Sequence, residues 1–162
     1  MRIEDFERLY EQHAQGLFGF LAYRTGDRTL AEDLVAETFE RALRARHRFS
    51  RRRGSEKTWL YAIGLNCLRD QLRRRSVERR ALERHGREAE MVSNPGTEEV
   101  ESRDVIRRAL EVLSEEEREA IALRYGGDLT VPEIARATGE RLTTVEGRVY
   151  RALRKMRDEM SG

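Results

Sequence analysis

The side chains best equipped for chemistry in this chain are arginines, and one cluster of them lies close to two aromatic residues. The stretch R-R-R-G-S-E-K-T-W-L-Y-A-I-G-L-N-C-L-R-D-Q-L-R-R-R, residues 51–75, sets Trp59 and Tyr61 near one end of a helical pattern. Its arginines fall on the side left outside. Guanidinium groups bind phosphates bidentately and aromatic rings stack on bases, so this combination suits single-stranded or melted nucleic acid. The alternative is an ordinary helix with Trp59 and Tyr61 in a core and a solvated basic face. Arg73, Arg74 and Arg75, followed closely by Arg79 and Arg80, favour nucleic acid, with Trp59 mainly core. Charge is segregated around this segment. Residues 51–87 hold twelve Lys+Arg against four Asp+Glu, and residues 88–119 hold four against eleven, although the whole chain carries only +2.

A second candidate is T-V-P-E-I-A-R-A-T-G-E-R-L-T-T-V-E-G-R-V-Y-R-A-L-R-K, residues 130–155. Ala135, Gly139 and Val145 supply a small residue at a helix crossing, a glycine for the turn and an apolar residue to lock a second helix, as a helix-turn-helix unit requires. Arg148, Arg151, Arg154 and Lys155 lie along or near one face of that second helix and can meet phosphates or base edges. Glu146 admits two readings. With Thr143 as N-cap it is the third helical residue, reaching back to the cap N–H. Alternatively it accepts a hydrogen bond from a cytosine amino group.

Enzymatic constellations are missing from the sequence. It has no P-loop, no Gly-rich dinucleotide turn and no nucleophile elbow, so no catalytic residue and no cofactor is expected. His13, His47 and His85 lack metal-ligand spacing, and the single cysteine, Cys67, reads as a small buried apolar residue. No apolar run approaches bilayer length and the N-terminus carries acids rather than a signal core, so a cytoplasmic protein without membrane insertion is expected.

The elements positioning these residues are helical throughout. Leu, Ala, Glu and Arg dominate, and prolines occur only at positions 95 and 132. Phe6, Leu9, Tyr10, Leu17, Phe18 and Leu21 predict a helix over 3–25, broken by Gly26-Asp27. Thr29 and Glu32 read as a capping box for a second helix reaching about Arg46. A third helix over about 55–75 turns Trp59, Leu60, Ile63, Cys67, Leu68 and Leu72 inward and Asn66, Arg69, Asp70, Arg73 and Arg74 outward, and a separate segment follows over 77–86. Residues 87–99, with a Pro-Gly pair and many acids, read as a flexible linker. Val105, Ile106, Ala109, Leu110 and Leu113 mark another helix. Ser114 with Glu117 caps the next, which carries Ile121, Ala122, Leu123 and Tyr125 and stops at Gly126-Gly127. Thr130 with Glu133, and Pro132 in the first turn, start the helix-turn-helix. Its last helix begins at Thr143 or Thr144 and runs to about Met156. The fold class is all-α, with two small helical domains, 1–86 and 100–162, on either side of the linker.

Four segments, in order, resemble bacterial extracytoplasmic-function sigma factors: A-E-D-L-V-A-E-T-F-E-R-A-L (31–43), W-L-Y-A-I-G-L-N (59–66), L-S-E-E-E-R-E-A-I-A-L-R (113–124), and L-T-V-P-E-I-A (129–135) with T-T-V-E-G-R-V-Y-R-A (143–152). The resemblance covers almost the whole chain. It implies a sigma region 2-like domain and a sigma region 4-like domain, binding core RNA polymerase and directing it to promoter DNA. It implies that Asp33, Leu34, Glu37 and Phe39 dock on the polymerase clamp. Lys57, Trp59, Asn66, Arg69, Arg73 and Arg74 serve the -10 element by the same resemblance, Asn66 near an extruded base. For the -35 element the corresponding residues are Thr143, Thr144, Glu146, Arg148, Tyr150 and Arg151. An anti-sigma factor is the implied regulatory partner. Three positions depart from the family pattern: Glu140, where a small or apolar residue is common, Glu146, where a basic one is, and Gly147, where a serine is. These departures give weight to a base-reading Glu146. Two rival functions remain open at this point, a helix-turn-helix regulator acting on duplex DNA without polymerase and a sigma-fold adaptor that binds no DNA.

Overall fold

The computed structural model describes residues 1–84 and 98–162, with side-chain surroundings for 1–83 and 105–162. Among these residues all regular structure is helical: α1 (Ile3–Thr25), α2 (Arg28–Arg44), a 3-10 turn (Arg46–Arg48), α3 (Glu56–Arg84), α4 (Glu98–Glu111), α5 (Glu115–Ile121), a π-turn (Ala122–Gly126), α6 (Val131–Thr138) and α7 (Leu142–Ser161). The linker expected at 87–99 lies almost wholly outside the described residues.

Local chemistry sets most boundaries. Helix α1 has Glu4 and Asp5 in its first turn and ends at Gly26, whose φ of 67° lets its N–H turn back to the Ala22 carbonyl. The capping boxes of α5 (Ser114 with Glu117) and α6 (Thr130 with Glu133) form as the sequence predicts, with Pro132 in the first turn of α6. Three expectations are corrected. Asp27, not Thr29, caps α2: its carboxylate accepts from the Leu30 N–H, so the cap lies two residues earlier than predicted, and the helix ends at Arg44. Helix α3 does not stop near Arg75 but runs unbroken to Arg84, absorbing the segment predicted as separate, because residues 75–84 contain neither Gly nor Pro. Val105 and Tyr125, expected inward, are exposed.

The three N-terminal helices bury Leu9, Leu17, Phe20 and Leu21 of α1 against Leu34, Phe39 and Ala42 of α2 and Leu60, Leu65 and Leu68 of α3. In the C-terminal half Ile121, Leu123, Leu129, Ile134, Val145, Val149 and Ala152 do the same work. The two sets meet as one continuous apolar cluster. At ~1.5–3 kcal/mol for each fully buried Leu, Ile or Phe, a shared core holds the halves together more effectively than their surface ion pairs do.

Candidate nucleic-acid interface

Ser55 caps the start of helix α3, its hydroxyl accepting from the Thr58 N–H at 3.1 Å. The helix then sorts its residues by face. Leu60, Tyr61, Leu65, Cys67 and Leu68 are buried, while Asn66, Arg69, Arg73 and Arg74 stand exposed on the opposite side. This is the outward row the sequence predicts. Trp59 is half-buried and meets Phe49 edge-on with centroids 5.4 Å apart, leaving part of its ring accessible beside the basic row. Tyr61 is not a stacking platform. It is 1% exposed, its hydroxyl donates to the Gly127 carbonyl at 3.2 Å, and burial pushes its phenol well above the ordinary tyrosine range. Cys67 is buried and its thiol is likewise pushed up by desolvation, as suits an inert core residue.

Two cations of this row are already engaged by the C-terminal half. Lys57 Nζ lies 3.4 Å from the Asp128 carbonyl oxygen and 3.4 Å from Glu133 Oε2. Arg69 reaches Glu119 at 3.4 Å. Arg73 instead pairs along its own helix with Asp70, whose carboxyl is held below its ordinary range by Arg73 first and by Arg41 second.

Helix α7 presents a different surface. Val145, Val149 and Ala152 bury one side, and Gly139, with φ 73°, makes the turn from α6 with its N–H on the Ala135 carbonyl. The helix-turn-helix predicted from Ala135, Gly139 and Val145 is therefore present. Thr143, Thr144, Glu146, Tyr150 and Arg151 are exposed. The capping reading of Glu146 is corrected: α7 begins at Leu142 after Arg141, which makes no side-chain cap, so Glu146 is the fifth helical residue and lies beyond reach of the N-cap N–H. Arg148 is partly shielded on the flank of the helix, its Nη1 2.5 Å from Glu140 Oε2. Arg151 folds back over Gly147, where an added methyl would stand 3.1 Å from its Nη1. Lys155 pairs with Glu117 at 2.7 Å.

On α2, Asp33 is exposed, and Glu37 bonds Arg41 at 2.6 Å while Arg41 also reaches Asp70 of α3 at 3.2 Å. Leu34 and Phe39, expected with the two acids as contact residues, are 1% and 6% exposed and belong to the core. Phe39 is the floor of an apolar groove between α1 and α2, where Tyr10 and Phe6 pack edge-on at 4.8 and 6.1 Å.

Sequence reasoning missed the seam between the halves. A methyl on Gly19 would stand 2.5 Å from the Gly126 carbonyl oxygen, and one on Gly126 would stand 2.9 Å from that of Gly19. Backbone lies against backbone here, which only glycine permits. Gly16 faces the Tyr61 hydroxyl, and Gly127 takes the Tyr61 bond. Nearby, the buried Arg24 reaches Glu115 at 2.6 Å. The available signal was two glycines three apart in an otherwise strong helix, a place where glycine costs about 1 kcal/mol and therefore calls for a packing reason.

Comparison with known proteins finds the same two regions along the chain. Residues 9–78 match the family described as Sigma-70 region 2 and residues 103–156 that described as Sigma-70, region 4. Over 93% of its length the chain is 30% identical to the ECF RNA polymerase sigma factor BldN of Streptomyces coelicolor, of which it spans 58%. It is 28% identical to SigX of Bacillus subtilis (97% of this chain, 84% of SigX) and 30% identical to RpoE of Cereibacter sphaeroides (96% and 86%). Among solved structures, the sigma factor RpoE bound to the anti-sigma factor NepR from Bartonella quintana superposes at a TM-score of 0.79, with 26% identity and 98% of each chain covered. CnrH in complex with the cytosolic domain of CnrY gives 0.67, with 27% identity over 99% of this chain and 90% of that one.

Proposed function

The chain belongs to the extracytoplasmic-function RNA polymerase sigma factors, and on that premise we propose that it binds core RNA polymerase and directs it to promoters through two separate DNA-contacting rows. The observation that supports this most is that the exposed basic row of α3 falls within the region 2 match and the exposed row of α7 within the region 4 match. We assign residues 1–86 to polymerase docking and the -10 element, 87–99 to a linker and 100–162 to the -35 element.

On α3, Arg69, Arg73 and Arg74 take backbone phosphates, and Asn66, exposed between Trp59 and Arg69, meets the extruded base. Extruding a base costs a few kcal/mol, which the pocket and the phosphate contacts offset. On α7, Thr143, Thr144, Tyr150 and Arg151 meet the major groove, and Glu146, freed of any capping duty, is a base reader. On α2, Asp33 and Glu37 offer acids one turn apart to an arginine-rich partner, while Leu34 and Phe39 shape the surface from beneath.

The chain acts without catalytic groups or a cofactor of its own. No described helix is long and apolar enough to cross a membrane, and we place the protein in the cytoplasm with the polymerase. Lys57 and Arg69 contact acids of the C-terminal half. The seam must therefore part before the whole α3 row reaches DNA. One solved neighbour is the sigma factor RpoE in complex with the anti-sigma factor NepR, and another is CnrH in complex with the cytosolic domain of CnrY, both aligned over nearly the whole of this chain. An anti-sigma factor that keeps the halves together is the partner that fits this. Permanganate footprinting of the polymerase assembled with this chain tests the assignment. Thymines of the -10 region should become reactive with the unmodified chain and lose that reactivity with Asn66→Ala; unchanged reactivity would remove Asn66 from the melting step.

A further inference from the structure

We propose that Glu140 is a positioning residue for DNA reading: it holds the Arg148 guanidinium in one orientation, so that Arg148 discriminates at one base pair of the -35 element. The inference rests on the assignment of α7 as the -35 helix.

The turn between α6 and α7 fixes Glu140 before its side chain does anything. Gly139 and Glu140 both donate their N–H groups to the Ala135 carbonyl, Glu140 at 3.1 Å. From that anchored backbone the Glu140 carboxylate reaches eight residues along the chain to Arg148, Oε2 to Nη1 at 2.5 Å. Both side chains are partly shielded, at 29% and 21% exposure. The pair holds the Arg148 guanidinium above the ordinary arginine value, with Glu140 as the leading cause and Glu116 and Glu119 adding to it.

A guanidinium has five N–H donors in a planar fork, and one carboxylate contact leaves most of them free. Arg148 sits on the flank of α7 between the buried stripe of Val145 and Val149 and the exposed row of Thr144 and Arg151. Held there, it can address one base edge with its remaining donors. Released, it would swing among phosphates on either side and add affinity that carries no sequence information. Glu140 thus reduces charge-driven binding and sharpens selectivity.

The test uses the full chain with core RNA polymerase on a promoter library randomised across the -35 element, comparing Glu140→Gln, Arg148→Ala, the double variant and, as a second α7 control, Arg151→Ala, with thermal melting followed for each. Arg148→Ala should flatten the preference at one base pair by about ten-fold. Glu140→Gln should flatten the same position, raise initiation from unrelated sequences at low salt and leave melting unchanged, and the double variant should match Arg148→Ala. Glu140→Gln that leaves this position untouched, or acts elsewhere, overturns the inference. Should Arg148→Ala and Arg151→Ala both leave every -35 preference intact while initiation persists, the assignment of α7 fails instead, and the proposal falls with it.

Discussion

Gly19→Ala separates the seam from everything else the chain does. Two effects act on it with opposite sign. Within α1, replacing an interior helical glycine by alanine gains about 1 kcal/mol, whether the halves are together or apart. With the halves together, the new methyl stands 2.5 Å from the Gly126 carbonyl oxygen, and backbone on both sides leaves no flexible side chain to yield. Overpacking of this kind costs about 1–3 kcal/mol, and the cost is felt only in the closed arrangement, so the closed-to-open ratio falls about 5- to 150-fold. Small-angle scattering should give a larger radius of gyration for Gly19→Ala. Amide exchange should rise over Ala122–Gly126, while the α1–α2 core is protected as well as before or better. An unchanged radius together with unchanged exchange in the π-turn would refute the reasoning.

Buried and paired groups on both sides of the seam carry the remaining predictions. Tyr61→Phe removes the buried donor to the Gly127 carbonyl and should lower stability by about 1–3 kcal/mol, measured by thermal or urea unfolding, because the carbonyl is left without its partner. His13 is depressed below its ordinary 6.5 by burial and then by the Lys57 charge, against the opposing pull of Glu56 and Glu133. Its neutral form is therefore the one the fold prefers. That contribution is present above pH 6.5 and is lost as pH falls through the lower folded value, and His13→Gln should flatten the stability profile across this window. For Glu117, burial pushes the carboxyl up, but Lys155 and the Ser114 cap outweigh it and hold it below the ordinary 4.5. Its stabilising effect should be present above pH 4.5 and fade as pH falls further, and Glu117→Gln should remove that acid limb of the melting profile.

The sequence made legible what local chemistry decides. Gly26 ends α1, and Ser114 and Thr130 with glutamates three residues on start α5 and α6, because each cap is settled within four residues. Where two local solutions compete, reading was less secure. Asp27 and Thr29 both offer an N-cap oxygen, and the chain uses the one immediately after the glycine turn. Thr143 offers a cap for α7 that the backbone does not take, since the helix has already begun at Leu142, and that single residue of difference moves Glu146 from cap to free surface. Long-range packing was hidden. Nothing in the spacing of Tyr61 tells that its hydroxyl belongs to Gly127, nor does Gly19 name Gly126 as its neighbour. Leu34 and Phe39 show the converse limit: a segment can match a docking surface while half of its side chains serve the core beneath it. The Glu140–Arg148 pair was invisible for the same reason, since the turn at Gly139 brings together two residues that a straight helix would keep apart.

The central claim is that this chain gives a polymerase its promoter choice. Core RNA polymerase, the full-length chain and a library of promoter fragments, with the transcripts sequenced, test it directly. The predicted result is initiation from a defined set of promoters sharing -35 and -10 elements, lost on Asp33→Arg. Binding of the chain to duplex DNA with no polymerase association and no specific transcripts would contradict it.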